Sequence, residues 1–116
     1  MAASIPEGPD LKEMDDTDLW QLINDNRYRI SMDVKPGLLI PYLRQAQVLT
    51  EMDEDEILTC HQLNNRSMRI SHMLDLLHIQ GKNGAMALLE SLMIHYPHLY
   101  TQVTGRKPST EASGFS

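Results

Sequence analysis

Residues 65–77 read NRSMRISHMLDLL, and this stretch decides the fold class. Its apolar positions repeat at the i, i+3, i+4, i+7 spacing of an α-helix with one buried face. These positions are Ile70, Met73, Leu74 and Leu77. An asparagine at 64 or 65 can cap the N-terminus of this helix, and Gly81 can end it. The stretch therefore predicts an amphipathic helix packed against a hydrophobic core.

Three more helices are predicted before this one. The first can be capped by Asp16 and Thr17, and it ends before a break at residues 35–37. The second follows the break, and it can hold Pro41 only if that proline lies in its first turn. The third opens at Thr50, where Asp53 takes the place of glutamate in a capping box. These signals predict a series of short helices before residue 65.

Two further helices follow, one starting at Asn83 and one opening with Pro97 and ending at Gly105. The sequence contains no alternating apolar and polar run of the kind that strands need. It therefore predicts an all-α bundle of six short helices. We predict three regions along the chain: a flexible N-terminal arm over residues 1–15, the bundle over residues 16–105, and a disordered tail or linker over residues 106–116.

Composition narrows the classes of function. The 116 residues include ten basic and 16 acidic ones, which gives a net charge of −6 and argues against a general nucleic-acid binder. No apolar run reaches the roughly 18 residues that span a bilayer, so we predict no membrane insertion. The single cysteine, Cys60, cannot form an internal disulfide, which fits a reducing compartment such as the cytoplasm.

The motifs that would predict a catalytic, metal or cofactor site are incomplete. A calcium loop starting at Asp53 would need glutamate at its twelfth position, where the chain has Asn64. Residues 81–84, GKNG, lack the spacing and the Ser or Thr of a phosphate-binding loop. Cys60 has His61 beside it, but adjacent helical residues point in different directions. We therefore expect no cofactor and no enzymatic activity.

The charges are distributed unevenly along the chain. Residues 27–44 carry four basic side chains and one acidic one, whereas residues 51–56 carry five acidic side chains and no basic one. An uneven solvated surface is the simplest interpretation. The functional interpretation is a head-to-tail contact between a basic face on the first and fourth helices and an acidic face on the second and third helices of the next molecule. The predicted basic face consists of Arg27, Arg29, Lys35, Arg66 and Arg69, and the predicted acidic face consists of Asp53, Glu54, Asp55 and Glu56.

Several stretches, in this order and at this spacing, also recur in one family. They are IPYLRQ (residues 40–45), DEDEIL (53–58), MLDLL (73–77), GKNGAMALLESL (81–92), YPHLY (96–100) and VTG (103–105). Together they closely resemble the caspase recruitment domain (CARD) that opens the CARD-plus-coiled-coil scaffolds, the CARMA proteins. The resemblance extends from about Asp18 to Pro108, which covers nearly the whole predicted bundle.

The resemblance implies a death fold, which is a six-helix antiparallel Greek-key bundle whose first helix is often bent or broken. It also implies a non-enzymatic role: recruiting the CARD of a B-cell lymphoma/leukaemia-type adaptor, seeding its filaments and activating NF-κB signalling. In the family, basic residues on the first and fourth helices carry much of that contact, and Arg27, Arg66 and Arg69 match those positions. Weak self-association is a further expectation.

Two positions depart from the family pattern. Met32 lies where relatives commonly have a basic residue late in the first helix, and Leu38 lies where some have one just before the second helix. Both departures weaken the basic face. They motivate a second hypothesis, in which the chain has the CARD fold but binds or caps such assemblies without seeding them.

Overall fold

The structure, a computed structural model, describes residues 11–107. Seven α-helices make up this part of the chain, and a short 3-10 turn at Leu11–Glu13 precedes them. The helices are α1 Asp16–Asp25, α2 Arg27–Asp33, α3 Pro36–Gln45, α4 Glu51–Thr59, α5 Arg66–Ile79, α6 Gly81–His95 and α7 Pro97–Thr104. No strand occurs between residues 11 and 107, and the predicted all-α fold class is confirmed.

The predicted first helix is divided in two at Asn26. The side-chain amide of Asn26 donates to the carbonyl of Leu22 at 2.9 Å, while its backbone N–H donates to the carbonyl of Ile23 at 3.0 Å. The side chain thus takes the acceptor that the backbone N–H would use in a continuing helix. The chain forms a second helix, α2, from Arg27 onwards, so the six predicted helices become seven.

Capping residues set the start of three helices. The carboxylate of Asp15 caps α1, so the predicted candidates Asp16 and Thr17 lie inside the first turn of the helix. Asn65, one of the two predicted candidates, caps α5 by accepting from the backbone of the first turn. The predicted capping box of α4 is confirmed, because the Thr50 backbone donates to the Asp53 carboxylate at 2.9 Å and the Asp53 backbone donates to the Thr50 hydroxyl at 3.0 Å.

Two helices begin earlier than predicted. Pro36 occupies the first position of α3, where its missing N–H costs nothing. Pro41 therefore lies in the second turn of α3 and not in the first, and Leu38 lies inside the helix rather than before it. Helix α6 begins at Gly81, whose φ of 63° turns the chain away from α5, and not at Asn83.

Helix α6 lies at the centre of the bundle, because α1, α3, α5 and α7 all pack against it. Seven of its residues are buried, so it has no broad solvent-exposed face. Helix α2 packs against α5, and α4 packs against both α3 and α5. The only tryptophan, Trp20, joins α1 to this centre by donating from Nε1 to the carbonyl of Gly81 at 2.9 Å. Helix α5 thus has α2 and α4 as its outer neighbours, and this arrangement positions the charged residues.

Part of the predicted N-terminal arm belongs to the folded domain. Leu11 is buried in the core, and Lys82 Nζ donates to the carbonyl of Lys12 at 2.7 Å. The folded part therefore begins no later than Leu11, before the predicted boundary at residue 16. Residues 1–10 and 108–116 lie outside the described residues, and the arm and the tail stay predictions there.

Candidate functional site

The first turn of α5 holds two arginines that contact the ends of neighbouring helices. Arg66 Nη2 donates to the carbonyl of Met32 at 2.7 Å, near the C-terminus of α2. Arg69 Nη1 donates to the carbonyl of Ile57 at 2.5 Å, near the C-terminus of α4. The last four carbonyls of a helix have no intrahelical donor, and cationic side chains interact favourably with them. Both arginines therefore help to hold α5 between α2 and α4.

The positive charges of Arg66 and Arg69 are not compensated by a carboxylate. The partners of both guanidinium groups are neutral carbonyls, and neither group forms an ion pair within residues 11–107. A guanidinium has five N–H donors, so each group keeps donors for a partner. The N-terminus of the 14-residue helix α5 adds partial positive charge at the same place. The first turn of α5 is thus a locally positive region.

Arg27 lies beside this region, but its charge is compensated. Its Nη2 forms an ion pair with Oδ1 of Asp75 at 2.5 Å and donates to the carbonyl of Ser71 at 2.8 Å. A further bond joins its Nη1 to Oδ1 of Asn24 at 3.0 Å. The side chain thus ties α1 and α2 to α5. Arg27 was predicted to belong to the basic face, but a carboxylate of its own molecule binds it. A partner would therefore have to compete with Asp75 for the guanidinium of Arg27.

Arg29 and Lys35 lie away from the first turn of α5. Arg29 Nη1 donates to Oε1 of Gln102 in α7 at 2.8 Å. The backbone N–H of Lys35 donates to the hydroxyl of Tyr96, which lies between α6 and α7, at 3.0 Å. The predicted basic face therefore falls into two parts. Arg66 and Arg69 of α5, with Arg27 of α2 beside them, form one part. Arg29 and Lys35, whose contacts are with Gln102 and Tyr96, form the other part.

Three exposed apolar side chains lie on α2 and in the first turn of α5, although they were not predicted as part of a site. Tyr28 and Met32 of α2 are 79% and 45% exposed, and Met68 of α5 is 39% exposed. Tyr28 and Met32 are spaced i, i+4 and project from the side of α2 opposite the buried Ile30. That spacing is the sequence signal that could have identified them. The region that we call the α2–α5 surface consists of the exposed residues Tyr28, Met32, Arg66 and Met68 and of the half-buried Arg69.

A groove runs between the two helices of the α2–α5 surface. Its volume is about 270 Å³, and it opens to solvent. Its lining consists of Ser31, Met32, Asn65, Arg66 and Ser67. The groove therefore places an apolar thioether and a guanidinium along the same opening, which suits a partner side chain that is apolar along its length and acidic at its end.

Two members of the predicted acidic face are engaged within the first half of α4. The carboxylate of Asp53 belongs to the capping box with Thr50. Glu54 forms an ion pair with Arg44, which joins α4 to α3. Both carboxylates are therefore used by the fold itself, so neither is free to meet a partner without breaking an internal contact.

The exposed acids of α4 overlap the predicted set only in part: Asp55 and Glu56 were predicted, and Glu51 was not. Glu56 contacts Nε2 of His72 in α5 at 2.5 Å, an ion pair when the imidazole is protonated. Within residues 11–107 the carboxylates of Asp55 and Glu51 make no hydrogen bond or ion pair, and both residues are exposed one turn apart. Met52, between them in sequence, is 81% exposed. We call Glu51, Met52 and Asp55 the α4 surface. The predicted face omitted Glu51, although its i, i+4 spacing to Asp55 was visible in the sequence.

The residues considered for other chemistry do not converge. Cys60 is a free thiol, half-buried at the C-cap of α4. Residues 11–107 contain no group of three or more His, Cys, Asp or Glu side chains that could hold a metal ion. Among the helices of the same region, none has the length and apolar character needed to cross a membrane.

Comparison with known families identifies the fold. The family model described as "Caspase recruitment domain" matches residues 20–106, which is most of the chain. The chain belongs to the caspase recruitment domain family. The predicted CARD-type death fold is therefore confirmed, with the first helix of the CARD divided into α1 and α2.

Curated proteins are similar to this CARD over most of its length. The human (Homo sapiens) "Caspase recruitment domain-containing protein 14" is 48% identical over 106 residues, which cover 91% of this chain and 11% of that protein. The mouse (Mus musculus) protein of the same name is 47% identical. The human "Caspase recruitment domain-containing protein 9" is 36% identical over 94 residues, which cover 81% of this chain and 18% of that protein. This similarity confirms the predicted CARD-plus-coiled-coil family, and the chain spans less than a fifth of the length of these relatives.

Proposed function

We propose that this CARD is the recruiting module of a cytoplasmic signalling scaffold. Its α2–α5 surface docks onto an acidic surface of another CARD, that of a B-cell lymphoma/leukaemia-type adaptor. The contact seeds filaments of the adaptor and so activates NF-κB signalling. Membership of a family of protein-interaction modules supports a binding role, and the similarity to CARD-plus-coiled-coil scaffolds supports this kind of partner.

The observation that carries the proposal is the uncompensated charge of Arg66 and Arg69. A partner carboxylate that reaches either guanidinium gains a charge-assisted hydrogen bond without first displacing an internal ion pair. The carbonyls of Met32 and Ile57 already orient both side chains, so docking costs little further rotamer freedom. The exposed Met32, which lines a groove together with Arg66, helps to exclude water from the contact.

The α4 surface supplies the complementary half of a contact between two copies of this chain. Glu51 and Asp55 are acidic and Met52 is apolar, which matches the basic and apolar character of the α2–α5 surface. The two surfaces lie on different helices, so a contact between them is heterologous and continues into a helical assembly unless it closes into a ring. We therefore expect weak, salt-sensitive self-association.

A second candidate function is a regulatory CARD that caps such assemblies without seeding them. Two observations favour it. Asp75 neutralises Arg27, which reduces the positive charge available beside α5. Met32 and Leu38, 45% and 46% exposed, place apolar groups where the family resemblance leads us to expect cations. A weakly charged surface of this kind could bind an adaptor filament end and still fail to recruit the first adaptor molecules.

The test of the first function is seeding of adaptor filaments by this CARD and by its Arg66→Glu variant. A purified adaptor CARD is mixed with substoichiometric amounts of each protein, and filaments are followed by light scattering and negative-stain microscopy. We expect the unsubstituted chain to shorten the lag before filaments form and Arg66→Glu to lose this effect. The matched control is Lys107→Glu, which changes the net charge equally at an exposed position after α7. Equal seeding by Arg66→Glu and Lys107→Glu, with both circular dichroism spectra helical, would contradict the proposal.

The same assay separates the two candidate functions. A seeding CARD shortens the lag, whereas a capping CARD leaves the lag unchanged and slows the growth of preformed filaments. If capping is observed, Met32→Lys combined with Leu38→Lys should convert the chain into a seed, because both substitutions restore cations to exposed positions.

A further inference from the structure

We propose that Met32 and Met68 are sites of reversible oxidation by peroxides, and that their oxidation switches off docking through the α2–α5 surface. This inference rests on the proposed function, because it names a regulation of the same surface. The oxidant class is a small peroxide, such as hydrogen peroxide, that reaches exposed thioethers from solvent.

Exposure separates the methionines of residues 11–107 into three groups. Met73 is fully buried, at 0% exposure, and is the natural internal reference. Met32, Met52 and Met68 are exposed at 45%, 81% and 39%. The other methionines of the described chain, Met14, Met86 and Met93, are half-buried.

The exposed methionines lie on the surfaces that carry the proposed contacts. Met32 and Met68 belong to the α2–α5 surface, and Met52 belongs to the α4 surface. On the α2–α5 surface the only other exposed large apolar side chain is Tyr28. Two of the three exposed apolar side chains on this surface are therefore thioethers, so a change in their polarity changes the apolar character of the surface.

The chemistry needs only the peroxide. The thioether sulfur attacks one peroxide oxygen, an S–O bond forms, the O–O bond breaks, and the second oxygen leaves as water after proton transfer. The sulfur is oxidised by two electrons, and the peroxide is reduced by the same two. Methionine sulfoxide reductases reverse the change, one enzyme for each sulfoxide epimer.

Oxidation at Met32 weakens docking by two routes. The sulfoxide is polar and disfavours burial against an apolar partner. Its oxygen is also a strong acceptor in the groove that Met32 shares with Arg66, so it competes for the guanidinium donors that a partner carboxylate needs. Oxidation at Met68 acts by the first route alone. The variant that keeps apolar volume while removing the sulfur is leucine at both positions.

The test compares the chain with its Met32→Leu/Met68→Leu variant before and after peroxide. Each protein is treated with hydrogen peroxide, the peroxide is removed with catalase, and binding to an untreated adaptor CARD is measured by fluorescence anisotropy. Peptide mass spectrometry reports the oxidation of each methionine, and unoxidised Met73 shows that the fold stayed closed. We expect at least about a tenfold loss of affinity for the oxidised chain, because two apolar thioethers at the contact are replaced by polar sulfoxides.

In the leucine variant we expect no loss after peroxide, even with Met52 fully oxidised, and in the chain itself we expect recovery after both reductases act. Loss of binding in both proteins, or in neither, would overturn the inference. Failure of the proposed function has a different signature, since the untreated chain would then not bind the adaptor CARD at all, and the inference would fall with it.

Discussion

Replacing Gly84 by alanine should force α5 and α6 apart, although alanine is normally the better helix former. Gly84 is buried in the first turns of the central helix α6. A Cβ at this position would lie 2.1 Å from the carbonyl oxygen of Leu77 in α5 and 2.9 Å from its carbonyl carbon. The obstacle is backbone, so no side-chain rotation can relieve it.

The size of the effect follows from these distances. An ordinary carbon–oxygen contact needs about 3.3 Å, so the two helices must separate by about 1 Å where Gly84 meets Leu77. Overpacking of a core costs about 1–3 kcal/mol, and a backbone obstacle beneath the central helix favours the upper end of that range. The higher helix propensity of alanine offsets about 1 kcal/mol of this cost. The free energy of unfolding should therefore fall by about 2 kcal/mol, which lowers the Tm by roughly 10 °C for a domain of this size.

Urea and thermal unfolding, followed by circular dichroism and by the fluorescence of Trp20, measure this change. The matched control is Gly37→Ala in α3, where nothing lies within 4 Å of an added Cβ. We expect this control to raise the free energy of unfolding by up to about 1 kcal/mol. Equal stability of the two variants, or a more stable Gly84→Ala, would refute the close approach of α5 and α6 on which the bundle depends.

Three further predictions concern single contacts. Asp75→Asn removes the charge that neutralises Arg27, so the affinity for the adaptor CARD should increase in a calorimetric titration. Urea unfolding should show a loss of stability of no more than about 1 kcal/mol. An unchanged affinity would contradict a competition between Asp75 and the partner for Arg27. Thr50→Ala removes half of the α4 capping box and should cost about 1 kcal/mol in urea unfolding. The hydrogen bond from the Tyr42 hydroxyl to Glu90, with burial and the nearby negative charge, raises the pKa of Tyr42 from 10.0 to about 12. Because the fold favours the neutral phenol, this contribution to stability is complete below pH 10 and is lost as the pH rises through 12. Glu90→Gln should return the pKa of Tyr42 towards 10 in an absorbance titration. An unaltered titration curve would count against the contact between Tyr42 and Glu90.

The presence of the helices could be predicted because their caps and apolar faces depend on residues that are close together in sequence. The capping box at Thr50 and the cap at Asn65 involve residues three apart in sequence, and both follow from residue type and spacing. The division of the first helix agrees with the bent or broken first helix that the family resemblance implied, but the apolar pattern alone missed it for an equally local reason. Ile23 and Ile30 keep a helical spacing across it, so the apolar pattern continues where the backbone does not. The deciding contact is the Asn26 side chain on the carbonyl of Leu22, which periodicity cannot register.

The candidate site was predictable in its charges but not in its pairings. Charge counts along the chain predicted a basic and an acidic face, and as binding faces both stay predictions. Which charges stay uncompensated depends on residues far apart in sequence, such as Arg27 and Asp75, 48 positions apart. Folding brings such pairs together and leaves Arg66 and Asp55 without ion pairs in the described region, and no sequence spacing distinguishes the two cases.

The measurement that tests the account most directly is an NMR titration between two variants of this CARD, each lacking one surface. The isotope-labelled partner is Glu51→Lys/Asp55→Lys, which keeps the α2–α5 surface, and the unlabelled partner is Arg66→Glu, which keeps the α4 surface. Docking between the two surfaces should give amide shifts confined to α2 and the first turn of α5. These shifts should weaken as salt is added and should be absent when the labelled protein is concentrated alone. Shifts centred on other helices, or no shifts at millimolar concentration, would contradict docking between the two oppositely charged surfaces.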